Sequence, residues 1–524
     1  MKTNYLLCDL LVSFCLALCH PGRMIGVACI IVSALVLHIL AIQNYGYHGD
    51  ELYYLAGTQH LDWGYVDHPP LAVWVLGFIR TVFGDSLWAV RAVPLLAGAT
   101  TIWLTGTMAR AMGGGGFAAL VAATAVMISG IHAAVASFYT VNSLDILWWA
   151  LAQLLLIRLI DGERPILWWI LGIVMGLGLL TKLSMLWFGL GLGVAIIATP
   201  SRRWLTQTQP WLAALITFAI STPYVLWQVA HDWVTWDWML HGSNAVLRDT
   251  SAAYFLTNQI LATHPINAPL WLGGLGCLLF APFLNRYRLL GIQAATVLIL
   301  LGWAAPAIVH YPGPVYAVLF AAGSVVLERV TRRRFMRLIL RPAAVGLMLF
   351  TGLVGLPLAI PILPEDEVEA YVRDLGITAP EAYGREHHDF PQQFSTMLGW
   401  PETVAATARA WHALPESERS RVAILAASYS DAGAVDLFGP RYGLPRSISG
   451  HNSYWLWGRR DYDLATVLAV GYPSGWLEPY WDEVQVVEIV RCPRCELWRQ
   501  EIEIVFARKP KDSTQAIWEA QRHD

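Results

Sequence analysis

Apolar runs long enough to cross a bilayer recur along this chain, set apart by short polar stretches. A helix needs roughly 17–25 predominantly apolar residues to span the hydrocarbon. Runs of that kind fall at 24–43, 86–109, 116–136, 143–160, 166–181, 183–199, 211–229, 261–284, 289–309, 312–328 and 342–362. They predict about eleven transmembrane helices. The pair at 166–199 is one long apolar stretch, divided by Thr181 and Lys182 into two short helices. Residues 71–84 (LAVWVLGFIRTVFG) are apolar but short and carry Arg80, a pattern that predicts a re-entrant or interface-lying helix.

Basic residues assign sides to these spans, because Lys and Arg concentrate in cytoplasmic loops. Arg23, Arg110, Arg158 with Arg164, Arg202 with Arg203, Arg286 with Arg288, and the run from Arg329 to Arg341 all fall on one side of the eleven-span arrangement. The opposite side receives 44–85, 137–142, the turn at Lys182, 230–260, the turn at 310–311, and everything beyond 362. Those segments hold most of the unusual polar residues, so the chemistry is expected there. The arrangement predicts a multi-pass membrane chain with its N-terminus cytoplasmic and its C-terminal part extracytoplasmic; the expected location is the plasma (inner) membrane.

Beyond Pro364 the pattern changes, with Glu365, Asp366, Glu367 and Glu369 close together and a polar region after them. RVAILAAS and ATVLAVG read as strands, SDAGAVDLFGPRYG as a loop and short helix, and 484–490 and 501–507 alternate in strand fashion. The expected fold is a polytopic α-helical membrane body at 24–362, with a first outer loop at 44–85, followed by an extracytoplasmic α/β domain at 363–524. Residues 1–23 read either as a signal-like stretch or as an extension upstream of a start at Met24.

Composition sharpens this picture. The 524 residues are 56% hydrophobic and 14% charged, with a mean hydropathy of +0.47. Soluble domains carry about 25% charged residues, so this chain is too poor in charge to cover a water-facing surface. Its 25 Trp and 20 Tyr are the rings that collect at membrane interfaces. The net charge of −3 gives no sign of nucleic-acid binding. Cys8, Cys15, Cys19, Cys29 and Cys277 sit in apolar stretches and read as packing residues. Cys492 and Cys495 lie between two predicted strands, where a structural disulfide is favoured over redox chemistry or half a zinc site.

The first outer loop carries the densest chemistry: NYGYHGDELYYLAGTQHLDWGYVDHPPLAVW. Asp50 and Glu51 follow the first span among Tyr45, Tyr47, Tyr53 and Tyr54. Asp67 and His68 precede Pro69-Pro70, and Asp62 reads as a solvated loop acid. An Asp-Glu pair after the first span, followed by an acidic-basic pair before Pro-Pro-Leu, resembles the GT-C glycosyltransferase superfamily. The branch in view is glycosyltransferase family 39, which includes protein O-mannosyltransferases and lipid A aminoarabinose transferases. The likeness continues through FGDSLWAVRAVPLLAG, GLGLLTKLSMLWFGL and PYVLWQVAHDW, and through DAGAVDLFGPRYGLPRSISGHNSYWLWG beyond the spans.

The resemblance implies a polyprenyl-phosphate sugar as donor, an inverting single displacement, and a lipid, glycan or protein of the cell envelope as acceptor. Asp50 matches the family's catalytic aspartate and is the expected general base. Glu51 is grouped with it as a catalytic-site acid that orients Asp50 or holds the loop. Asp145, at the outer end of the fourth span, is the second expected acid, with Asn142 beside it. Lys182 is a candidate cation for the donor phosphate, since Lys is unexpected on the outer face. His68 stands where relatives often carry Lys, and it competes with a reading as a loop histidine pinned by proline.

Tyr53, Tyr54, Asp67, His231, His264, His310 and Tyr311 complete the expected substrate groove. Asp232, Trp233, His241 and Arg248 lie on the same outer side, where an interfacial aromatic belt is the alternative. The inserted Pro312-Gly313-Pro314 departs from the family pattern around His310 and Tyr311. No cofactor is required by these residues, although carboxylates at Asp50 and Asp145 suit a divalent cation such as magnesium or manganese. Two other classes stay open: a lipid or sugar-lipid transporter or flippase, and a binding protein that keeps the scaffold without catalysis.

Overall fold

The computed structural model describes residues 24–162, 164–241, 251–304, 308–377 and 390–523. The expectations for residues 1–23 (with Cys8, Cys15 and Cys19), for Arg248 and for the side chain of His241 fall outside what it describes.

Every apolar run contains a helix. Among the described residues, Leu87–Ala111, Val141–Ile160, Thr208–Ala230, Gly313–Val330 and Met336–Leu358 are long and apolar enough to cross a membrane. Two bent pairs bring the number to 7: Ser184–Ala198 with Pro200–Thr206 (106°), and Pro265–Phe280 with Pro282–Trp303 (88°). Ile25–Ala41, Gly116–Ile128 and Ile166–Thr181 are apolar but shorter. Length and composition thus qualify fewer full spans than the expected eleven.

The reasons are local. The run 116–136 breaks at Ser129, whose backbone is extended before Gly130. The run 261–284 breaks at His264, which has a φ of +75°, and at Pro265, which has no N–H to continue a helix. Residues Ala252–Ala262 form a separate helix ahead of that break. Leu71–Phe83 is a helix of 13 residues. At 1.5 Å per residue it is about 20 Å long, short of the ~30 Å hydrocarbon core.

The body packs around Tyr316–Val330, in which Tyr316 through Ala322 are fully buried. This helix meets Ala268–Phe280 at Gly323, where a Cβ would stand 2.0 Å from the Leu270 carbonyl oxygen. Only glycine lets the two backbones approach so closely. On the outside, Thr208–Ala230 exposes Trp211, Leu215, Phe218 and Leu226, and Arg341–Gly355 exposes Leu347, Phe350 and Leu353. An apolar surface of that extent suits contact with lipid.

The loops bearing the basic clusters gather at one end of the body. Arg286 pairs with Asp161, and the Tyr287 hydroxyl lies 3.1 Å from the Ala111 carbonyl. Glu328 accepts the Gly115 N–H (2.5 Å) and pairs with Arg341 (3.5 Å). The polar residues near 48–68, 138–142, 182 and 310 gather at the other end, beneath the C-terminal domain.

That domain is a five-stranded mixed sheet in the order β2-β1-β3-β5-β4. Its strands are β1 (Ala423–Ala426), β2 (Ile448–Ser449), β3 (Thr466–Val470), β4 (Trp481–Arg491) and β5 (Glu501–Pro510). β1 runs parallel to β2 and β3, while β5 is antiparallel to both β3 and β4. β1 is buried throughout, as a short apolar strand in a parallel setting should be. The helix after β1, Tyr429–Phe438, rests on Gly49–Gly57 of the first outer loop. A Cβ at Gly433 would lie 2.7 Å from the Leu52 carbonyl.

One buried ion pair fixes that loop to the body. Glu51 and Arg91 have side chains 0% and 1% exposed, and they meet through two hydrogen bonds of 3.0 and 2.9 Å. Glu51 also accepts the backbone N–H groups of His48 and Tyr139, each at 2.9 Å. Arg91 donates to the carbonyls of Ile42 (2.9 Å) and Gly46 (2.6 Å). A buried pair offsets its desolvation only when its remaining donors and acceptors are satisfied this way. Removing one partner strands a charge in the interior. Arg91→Leu is therefore expected to cost about 3–5 kcal/mol, read as a lowered thermal unfolding midpoint in detergent; an unchanged midpoint would contradict the clamp.

Candidate active site

A cavity of about 2150 Å³ lies between the polar end of the body and the C-terminal domain. One flank is apolar, lined by Ile131, Leu186, Leu190, Leu261, Phe350 and Val354, and it is open: Leu186, Leu190, Leu261 and Phe350 are exposed, with Phe350 shared by the outer apolar surface. The C-terminal domain supplies a wall from the carboxyl ends of its three parallel strands. Ser428 and Tyr429 follow β1, His451 follows β2, and Tyr472 and Pro473 follow β3. Open α/β sheets bind ligands at that edge. Glu496 and Trp498, from the β4–β5 connection, extend the wall.

Asp50 lines the cavity from the first turn of Gly49–Gly57. His48 caps this helix, accepting the Asp50 N–H at Nδ1 (3.1 Å), while Glu51 closes a capping box by accepting the His48 N–H. His48 stacks on Phe138 at 4.0 Å, and burial pushes its pKa down to about 4, which leaves it neutral. Asp50 keeps about a third of its side chain open, at 32%. Burial among protein groups raises its pKa to about 6, against the opposing effects of a Tyr429 hydrogen bond and of His68. A carboxylate poised there takes up a proton more readily than an ordinary aspartate does.

Asp67 and His68 also line the cavity. Tyr53 donates to Asp67 Oδ1 (2.7 Å) and lies 2.6 Å from the Ser453 hydroxyl, which ties the outer loop to the C-terminal domain. Burial raises the Asp67 pKa. His68 Nδ1 meets the Pro69 carbonyl at 2.9 Å, and Nε2 stands 3.9 Å from Asp67. The ring is held among Tyr53, Tyr54 and Tyr65, so the histidine is both pinned beside its proline and present at the cavity.

Lys182 enters from the break between two helices. Its ammonium donates to Asn142 Oδ1 at 2.6 Å and lies 4.3 Å above the Tyr311 ring. Asn142, Tyr311 and His310 share the cavity with it. His310 is held far toward the neutral form, its pKa pushed to about 3 by burial and then by Lys182. Four separate stretches of chain thus deliver Asp50, Asp67 with His68, Asn142, and Lys182 to one space.

Other expected residues stand elsewhere. Glu51 does not line the cavity; its carboxylate is taken up by Arg91 and two backbone donors, so it positions the loop instead of meeting a substrate. Asp145 is likewise outside the lining, 1% exposed, accepting from Ser184 (2.5 Å) and acting on Lys182 as a buried countercharge. His231 is away from the cavity, stacked on Trp227 at 4.0 Å and bound to its carbonyl. His264 does line it, but both ring nitrogens are used, one near the Thr351 carbonyl and one accepting the Ile266 N–H.

The structure adds His48, Tyr429, His451 and Glu496 to the site. His48 stands three residues before Glu51, the spacing of a capping box, but the usual cap is Ser, Thr, Asp or Asn, so its residue type did not mark it. Tyr429 stands just past a buried strand, the place where α/β domains carry ligand contacts. Among the described residues, no group of three or more His, Cys, Asp or Glu side chains is arranged to hold a metal ion. With Asp145 turned to Ser184, the imagined Asp50–Asp145 cation site does not fit. Cys492 and Cys495 form a disulfide in the β4–β5 connection, packed against Gly399 and leading into Glu496.

Known proteins share this architecture. Residues 67–227 match the family model described as dolichyl-phosphate-mannose-protein mannosyltransferase. A relative from Pseudomonas fluorescens, "undecaprenyl phosphate-alpha-4-amino-4-deoxy-L-arabinose arabinosyl transferase 2", is 28% identical over 34% of this chain and 32% of its own length. The "lipid A galacturonosyltransferase RgtD" of Rhizobium johnstonii is 26% identical over 35% of this chain and 38% of its own. The matches span about a third of those relatives' lengths. The crystal structure of ArnT from Cupriavidus metallidurans bound to undecaprenyl phosphate superposes with a TM-score of 0.59 at 15% identity, covering 91% of this chain and 97% of that one. In its fold across both parts, and in sequence over residues 67–227, the chain resembles the GT-C glycosyltransferases, with ArnT and the protein mannosyltransferases as its points of likeness.

Proposed function

We propose that this protein is a membrane glycosyltransferase that moves a sugar from a polyprenyl-phosphate donor to a cell-envelope acceptor. The observation that carries the proposal is the cavity itself, with a carboxylate at Asp50 and a lysine at Lys182 in its lining and an open apolar flank beside them. Relatives named for undecaprenyl-phosphate sugar transfer and for lipid A galacturonosyl transfer support the reading.

The chemistry is a single displacement at the donor's anomeric carbon. The C1–O bond to phosphate breaks as a bond from C1 to the acceptor oxygen forms, with inversion. Asp50 receives the acceptor's proton. Lys182, held by Asn142 and Tyr311, meets the negative charge that collects on the leaving polyprenyl phosphate. The prenyl chain lies along the open apolar flank, and the acceptor approaches along the wall that the C-terminal domain supplies. A volume of about 2150 Å³ exceeds the ~300–1,000 Å³ of single small-ligand sites, leaving room for two substrates. The polar end faces away from the cytoplasm, because the basic loops crowd the other end.

Labelled polyprenyl-phosphate sugars, tried as a panel in membranes with envelope extract as acceptor, test this reading. Asp50→Asn is expected to lower transfer by at least about 100-fold; equal turnover would remove Asp50 from the mechanism. The active form of Asp50 is the carboxylate, and its raised pKa lies at about 6. Transfer is therefore expected to be full above that pH and to fall about tenfold per unit below it, and a rate flat down to pH 4 would contradict the assignment. Lys182→Met is expected to raise the donor KM about tenfold with the acceptor KM unchanged. An unaltered donor KM would take Lys182 out of the phosphate site.

A further inference from the structure

Tyr429 belongs to the C-terminal domain, 379 positions along the chain from Asp50, yet its hydroxyl donates to Asp50 Oδ1 at 3.2 Å. Among the described residues no other side chain hydrogen-bonds that carboxylate. The phenol is stacked on Tyr53 at 4.5 Å and tilted against His451 at 4.6 Å. His451 Nδ1 also accepts the Tyr429 backbone N–H (3.2 Å). Ser428 caps the helix that Tyr429 opens, so the residue is fixed where β1 ends. We propose that Tyr429 is a positioning residue for Asp50, holding one carboxylate oxygen so that the other faces the acceptor, and that the C-terminal domain thereby completes the catalytic site.

The inference rests on the reading of Asp50 as the base, and the groups around that carboxylate favour it. His48 Nδ1 stands 4.0 Å from Oδ2, but it already accepts the Asp50 N–H and is neutral, so it supplies no charge. Glu51 from the same helix and Asp67 from the loop disfavour a second negative charge, whereas His68 favours it. The Asp50 charge also acts on Tyr54 and Tyr429, raising both phenols. Burial and the nearby acids keep the Tyr429 phenol protonated at any working pH, so it acts as a donor throughout. Its bond opposes the burial that raises the Asp50 pKa. Losing it frees the carboxylate to rotate and to bind its proton more tightly.

Tyr429→Phe keeps the ring and its stacking while removing the hydroxyl. The expected result is an acidic limb of the pH–rate profile moved upward by about one unit. The limiting rate is expected to fall about tenfold with the donor KM unchanged, a split that a merely structural role would not produce. The second measurement needs no turnover: a carboxyl infrared titration, subtracting Asp50→Asn protein from protein with Asp50 intact, taken with Tyr429 and with Phe at that position. It should show the same upward shift in midpoint. Asp50-dependent transfer with superimposable profiles and midpoints would overturn the role of Tyr429 and leave the transferase intact. No transfer from any donor, with a shifted infrared midpoint, would sink the transferase and leave the Tyr429–Asp50 contact standing. An unshifted midpoint in the folded Phe variant overturns the proposal in either case.

Discussion

The buried pair of Glu51 and Arg91 is the constraint on which the site depends. It ties a helix of the membrane body, the loop at 42–46, the capped helix at 49–57 and the backbone at Tyr139 into one hydrogen-bonded knot. A charge pair so enclosed adds little net stability over an apolar core, but it penalises every arrangement in which its members part. That penalty suits a loop that must hold a carboxylate at a fixed point. Asp50 is the residue just before Glu51, and the same capping box that employs Glu51 orients the first turn on which it sits.

A second constraint comes from above. The C-terminal domain is docked through close backbone contact at Gly433 and through the Tyr53–Ser453 hydroxyl pair, so it shares the cavity as a wall. Its parallel strands direct their carboxyl ends into that space, an old solution for presenting loops to a ligand set here over a membrane site. The arrangement gives the cavity two characters: an open apolar flank, and an aromatic, hydrogen-bonding wall. A substrate pair made of a long prenyl chain and a hydroxylated acceptor would use both.

Much of the fold was legible in the sequence because hydrophobic runs and basic loops report single-segment physics. The helices fall where the apolar runs do, and the loops that carry arginine meet at one end. Breaks inside runs were harder to see, since Ser129 and the His264-Pro265 step interrupt segments whose hydropathy is continuous. In the site, Asp50, His68, Asn142, Lys182 and Tyr311 could be singled out by residue type and side of the membrane, and they share one cavity. Glu51 and Asp145 have the same chemistry and the same side, but helix phase turns them into the protein, a rotation that composition does not record. Tyr429 and His451 stand at strand ends, which marks them as candidates for ligand contact, but that Tyr429 meets Asp50 depends on how a distant domain docks. No local pattern encodes that docking.

The most direct test is to determine the structure with an undecaprenyl-phosphate carrier bound and to locate its phosphate. The expected position is in this cavity, with phosphate oxygens within hydrogen-bond reach of Lys182, the carrier's prenyl chain along Ile131, Leu186 and Phe350, and the space between phosphate and Asp50 open to a sugar ring. A phosphate seated elsewhere, at the basic end of the body or on its lipid-facing surface with Lys182 and Asp50 uninvolved, would contradict the proposed transfer at its root.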